Sequence, residues 1–252
     1  MRFISRLALA LLLGLALAAP AEAAFATIDA TNSGANAATT TPTLNLPSGI
    51  AAGHLLILLL VTDGNPAVTN WNGYTEVNSL SCPASACRAA WAYRVADGTE
   101  GASVTITIAA SQETGYITLR IGGHGSSTTA PQGASATGTS ATPDPPSLTP
   151  TGGPKDFLWI EFFGADDDDE TATYWTTSPD AYTGIDQVQC ATSGTICMIA
   201  AAQRPANATT ENPGTMAMAA SEEWTAITIA VHPGSEGLAT CPRTLLTLGV
   251  GC

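Results

Sequence analysis

The chain has 252 residues, only 12% of them charged, and its 21 acidic against 8 basic residues leave a net charge of −13. With one lysine, Lys155, and no cluster of arginines, it has no means of displacing counterions from a phosphate backbone, which excludes nucleic acid as a partner and disfavours anionic membranes. The same charge favours solubility, and the length allows one large or two small domains with a real core.

Taken in chain order, the first element is a leader. Residues 1–23 carry Arg2 and Arg6, a 13-residue apolar run "LALALLLGLALAA", and "PAEA", in which Ala21 and Ala23 suit a signal peptidase. This reads as a secretory signal peptide, too short and wrongly flanked for a span. The mature chain is expected to begin near Ala24, to be secreted into an extracellular or periplasmic space, and to hold no membrane span.

From residue 39 the chain states one pattern twice. "TTTPTLNLPSGIAAGHLLILLLVTDGN" and, from residue 139, "TSATPDPPSLTPTGGPKDFLWIEFFGADDD" both place a Thr-Pro stretch before a long apolar strand that ends in an acidic turn. Further on, Trp71 aligns with Trp175, Tyr74 with Tyr182, Arg94 with Arg204, Glu113 with Glu223 and Ile117 with Ile227, at an offset drifting from about 101 to about 110 residues. We read this as a duplication, with a first repeat over 24–123, a second over 124–234 and a tail over 235–252.

Within each repeat the signal is β. "VTITI", "YITLRI" and "TAITIAV" alternate apolar and polar residues, with turns such as "TDGN", "ADGTEG" and "ENPG" between them. The expected fold is therefore all-β: a duplicated β-sandwich of jelly-roll or immunoglobulin-like size, with six or seven short strands in each copy. "HLLILLLV" and "FLWIEFF" are apolar on both faces and must be covered twice, by packing of the two copies on each other in preference to cover by another subunit. Glu161, inside the second of these runs, is expected at an edge or paired with Arg204, because burying it alone is costly.

The six cysteines allow 15 pairings. "CPASAC" and "CATSGTIC" lie at equivalent places, and neither has the spacing of a zinc knuckle or a redox CxxC. A staple across a hairpin fits, giving Cys82 with Cys87 and Cys190 with Cys197. Cys241 pairs with Cys252 by remainder, within the chain or between chains. Such small loops are worth about 2 kcal/mol each and are expected to pin loop shape more than hold the fold.

No nucleophile elbow, HExxH, phosphate loop or dinucleotide fingerprint occurs, so no enzyme is expected and no catalytic residue is named. His54, His124 and His232 read as exposed loop residues. Asp166, Asp167, Asp168 and Asp169, in a turn, offer several oxygens and make calcium the one candidate cofactor, against the plainer reading of a solvated acidic turn. Trp71, Tyr74, Trp175 and Tyr182 occupy equivalent loops, where they either stack on sugars or cap the core, while Trp91 and Trp224 read as core.

"LPSGIAAGHLLILLLVTDG", "AYRVADGTEGASVTITI" and "SATGTSATPDPPSLTP" resemble β-sandwich modules of uncharacterised bacteriophage virion-type and bacterial surface proteins, over most of residues 40–233. The resemblance brings no catalytic residues. It implies a structural or attachment protein of phage-derived type, whose partners are copies of itself or surface glycans and proteins. A carbohydrate-binding module, with or without calcium, is the other expectation.

Overall fold

Leucine- and β-branched-rich runs bounded by Gly, Asn and Pro turns fold as strands, because branched side chains suit a pleated surface covered by neighbours. The computed structural model describes residues 24–126, 128–153, 155–167, 181–190 and 196–234. In the first copy the strands are β1 (Thr27–Thr39), β2 (Thr43–Asn45), β3 (Leu55–Asp63), β4 (Val68–Asn70), β5 (Thr75–Ser81), β6 (Cys87–Val95), β7 (Ser103–Thr105), β8 (Thr107–Ile108) and β9 (Gln112–Gly122). The second copy has β10 (Gln132–Ser140), β11 (Lys155–Asp167), β12 (Thr183–Gln189), β13 (Ile196–Ala208) and β14 (Glu222–Val231).

Two antiparallel five-stranded sheets result, ordered β1-β9-β3-β6-β5 and β10-β14-β11-β13-β12. The two orders are the same once each strand is replaced by its aligned counterpart, and the registers agree as well. Leu56 faces Arg94 in one sheet, and Trp159 faces Arg204 in the other. A bulge lies between Glu76 and Asn78 in β5 and at the matching place between Gly184 and Asp186 in β12. Buried Thr118 donates to the Asn45 carbonyl at 2.8 Å, as buried Thr228 does to the Pro146 carbonyl at 2.6 Å. The duplication is therefore one of hydrogen-bond pattern as well as of sequence.

The expected duplicated sandwich is present, with a division of labour that strand counting does not reveal. Each copy contributes a single large sheet, and the two sheets face one another. Leu55, Ile57, Leu59 and Val61 of β3 share one buried core with Leu158, Ile160 and Phe162 of β11. β1 lies over β12, β9 over β13, β6 over β14 and β5 over β10, with β3 and β11 in contact at the centre. Exchanging the copies maps this set onto itself, so a pseudo-two-fold axis passes through the β3–β11 crossing. Residues Phe25–Gly234 accordingly form one compact unit.

The outer face of each sheet is covered by the same copy. Over sheet one, Leu44, Val104, Ile106, Trp71 and Tyr74 pack on Leu56, Leu58 and Leu60. The β2–β7 and β4–β8 ribbons build part of this layer. Over sheet two the described residues form one cluster with Phe163, Met216, Met218 and Trp224 and another with Phe157, Trp159 and Tyr182. This explains why "HLLILLLV" does not alternate: β3 is buried along both faces. Each such leucine or isoleucine contributes about 1.5–3 kcal/mol through its burial.

Close approach of the sheets depends on Gly164, where an added Cβ would stand 2.6 Å from Val61 Cγ2 and 3.1 Å from Ala89 Cβ. Gly164→Ala is expected to cost about 1–3 kcal/mol in denaturant unfolding by overpacking the inter-sheet core. Combining it with Val61→Ala should cost less than the sum of the two single changes, since the methyl it meets is gone.

Candidate functional site

The two described disulfides join Cys82 to Cys87, with Cα atoms 5.0 Å apart, and Cys190 to Cys197, at 5.1 Å. Each closes a hairpin end, the first around a 3₁₀ turn at Pro83–Ser85, and in each the first cysteine's N–H donates to the second's carbonyl, at 2.8 and 2.7 Å. Both predicted pairs are thus formed. Cys241 and Cys252 lie outside the described residues.

Their environment corrects the expectation that they chiefly shape loops. All four sulfurs are buried in the core between the sheets. Each disulfide packs on the last strand of the other copy: Cys190 Sγ is 3.1 Å from where a Cβ on Gly115 would sit, and Thr225 Oγ1 is 3.6 Å from Cys82 Sγ. Gly115 and Thr225 are aligned residues, so the contact is repeated by the pseudo-two-fold. The disulfides are core side chains as well as loop closures.

The aromatic residues divide differently from a sugar platform. Trp71 and Tyr74 are 7% exposed and lie in the outer core of sheet one, so no ring face is free to stack on a sugar. The Trp71 indole donates to Glu76 at 2.6 Å. Tyr182 is 8% exposed, and its hydroxyl donates to Glu211 at 3.2 Å. Trp175 lies outside the described residues. Trp91 and Trp224 are buried as expected, their indoles donating to Asn78 and Ser140.

Beside each tyrosine the fold assembles an arginine and a glutamate. Arg94 of β6 approaches Glu100 at 3.6 Å and pairs with Asp97 at 2.6 Å. Glu100 also accepts the N–H groups of Asp97 and Gly98. Arg204 of β13 pairs with Glu211 at 2.8 Å. Burial pushes the Tyr74 hydroxyl up to about 12, against the pull of Arg94. Tyr182 is raised further, by burial and then by the charge of Glu211. In each arginine–glutamate pair the arginine is partly exposed and the glutamate buried, and the pair fixes where the loop settles on the sheet.

Glu100 and Glu211 were not singled out from the sequence, although a signal existed: each follows its aligned arginine by six or seven residues, in "ADGTEG" and "ATTENPG". Glu161 departs from expectation altogether. It is neither at an edge nor paired with Arg204; it is fully buried, and both carboxyl oxygens lack a hydrogen-bond partner. Burial, and then the nearby Glu211, raise its pKa to about 8, so the carboxyl is held neutral in this site.

Asp166 and Asp167 end β11, opposite Cys197 and Ile196, while Asp168 and Asp169 lie outside the described residues. Among the described residues no three His, Cys, Asp or Glu side chains come together in a form that could hold a metal ion. The histidines are less exposed than expected. His54 is half-buried and its Nδ1 accepts the Ala51 N–H; His124 is half-buried and lies 2.7 Å from the Gly53 carbonyl. His232 is buried, edge-on to Phe157 and 2.9 Å from the Gln132 amide nitrogen. His124 and Pro233 are bridged through their backbones, tying the ends of the two final strands together.

Recesses in the described surface include the following two. One, about 470 Å³, is lined by Phe25, Ile28, Leu158 and Pro205 where the sheets meet. The other, about 520 Å³, is a more polar groove on the first copy lined by Thr31, Asn32, Ser48, Gly98 and Glu100. Comparison with protein-family models, with curated proteins and with solved structures gives no match, so no relative's chemistry bears on these residues.

Because the sulfurs fill core volume, replacing Cys82 and Cys87 together by alanine is expected to cost about 3–5 kcal/mol, more than the ~2 kcal/mol of loop closure alone. Chemical denaturation of the double variant, made separately in each copy, measures this. The two copies should respond alike.

Proposed function

We propose that this chain is an exported, non-catalytic structural or attachment protein that works as a rigid block and associates with copies of itself. The observation that carries the reading is the closed, internally two-fold sandwich. Both apolar central strands are covered on both faces by the chain itself, and two disulfides are sealed between the sheets. A body built in this way resists unfolding and presents its surroundings with strand edges and loops. Disulfides also suit an oxidising compartment, in keeping with the signal-like leader. No helix among the described residues is long and apolar enough to cross a membrane.

The four sheet edges differ in ways that favour self-association at one of them. β1, β5 and β12 are interrupted by bulges and carry Asp29, Glu76 and Asp186 respectively, devices that discourage added strands. β10, "QGASATGTS", has neither bulge nor charge nor proline along nine paired residues. On a chain of net charge −13 it is a stretch where two copies can meet without like-charge repulsion.

A carbohydrate-binding reading has lost its described aromatic platform and rests instead on the polar groove beside Asn32 and Ser48. Light scattering of the mature chain across a concentration series, together with a glycan array run with and without calcium, separates the two. Concentration-dependent self-association, suppressed by Thr139→Lys on β10, is the expected result. A strict monomer that binds a glycan and loses it on Asn32→Ala would replace the structural reading with the carbohydrate one.

A further inference from the structure

The duplication supplies an internal control for one residue. In register, Glu161 of β11 stands where β3 carries Leu58: Leu58 lies opposite Ala92 and Thr118, and Glu161 lies opposite Ala202 and Thr228. Leu58 sits in an unbroken outer core. Glu161 falls between Trp159 and Phe163, which belong to two different clusters of the described outer residues. A carboxyl has therefore been placed under the outer layer of one copy only, at a point where the fold accepts a leucine.

The groups facing this carboxyl come from three directions. Glu211, from the loop between β13 and β14, is 6% exposed and adds negative charge. Arg204 of β13 supplies the one described cation of the cluster and is already bonded to Glu211. Tyr182, preceding β12, donates its hydroxyl to Glu211 as well. Thr228 of β14 is opposite, but its hydroxyl is committed to Pro146. Glu161 keeps no hydrogen bond from any of them. The layer above is tied down by these bonds to Glu211 and Pro146, by the paired backbones of Leu148 and Glu211, and by the bonds from Met216 and Met218 to Pro143 and Ala141.

We propose that Glu161 is a proton-operated release for the outer layer of the second copy: the layer is closed while the carboxyl is neutral, and opening it frees the carboxyl to ionise in water. The sign follows from linkage. The closed state holds the proton up to about pH 8 whereas an open, solvated carboxyl holds it only to the ordinary 4.5. Opening therefore releases a proton, and closure is strongest in acid. Between those limits the opening equilibrium rises about tenfold per pH unit, then levels off. The first copy, with Leu58, has no such dependence. A chain exported to a compartment of changing acidity would thus carry one rigid copy and one whose outer loops loosen as the pH rises.

Hydrogen exchange of the whole mature chain, corrected for intrinsic rates and followed by mass spectrometry from pH 5 to 9, tests this. Residues 141–149 and 209–218 should lose protection steeply up to about pH 8, while residues 40–47 and 99–108 should not. Glu161→Leu should abolish the difference, and Leu58→Glu should transfer it to the first copy. Glu161→Gln, which cannot ionise, should also be flat, and it serves if the leucine variant folds poorly. Equal pH responses in the two copies, or an unchanged response in Glu161→Gln, would overturn the proposal.

Discussion

The structure depends on the burial of β3 against β11. Leu55, Ile57, Leu59 and Val61 meet Leu158, Ile160 and Phe162 across the pseudo-two-fold, and neither sheet has another way to remove this face from water. The arrangement is that of an isologous dimer interface carried within one chain, where each contact made by one copy is returned by the other. The close spacing at Gly164, the paired disulfides and the backbone bridge between His124 and Pro233 all follow from it.

Covalent continuity changes what such an interface permits. In a homodimer both halves must carry the same residue, so an unfavourable group would be repeated. Here the copies have diverged on both faces, as Val61 against Gly164 and Gly115 against Thr225 show between the sheets and Leu58 against Glu161 shows on the outside. Leu58 against Glu161 is the sharpest case: Leu58 lies within one outer cluster, and Glu161 lies between two clusters of described residues. The inner face supplies the stability on which a locally unfavourable carboxyl can be carried.

Much of this was legible in the sequence. Strand identity, the duplication and two disulfide pairs follow from apolar period, turn residues and equal spacing, all of which act locally. The doubly apolar character of "HLLILLLV" announced two covered faces and even favoured copy-on-copy packing. What covers each outer face was not legible, since it depends on where loops fold back. Trp71 and Tyr74 therefore read as a binding platform or, more plainly, as a cap, and the fold shows them as a cap. The cysteines likewise announced a staple, but their place between the sheets depends on the hairpin end curling inward over the other copy. Glu161 was recognised as costly; the error lay in supplying Arg204 as its partner, when Glu211 from a later loop takes that arginine.

The central claim, one inter-sheet core shared by both copies, is tested most directly by differential scanning calorimetry of the mature chain with Ile57→Ala and Ile160→Ala, one substitution from each sheet. A single transition is predicted, with calorimetric and van't Hoff enthalpies equal, and both substitutions should lower it together. Two separable transitions, with Ile57→Ala shifting one and Ile160→Ala the other, would contradict it.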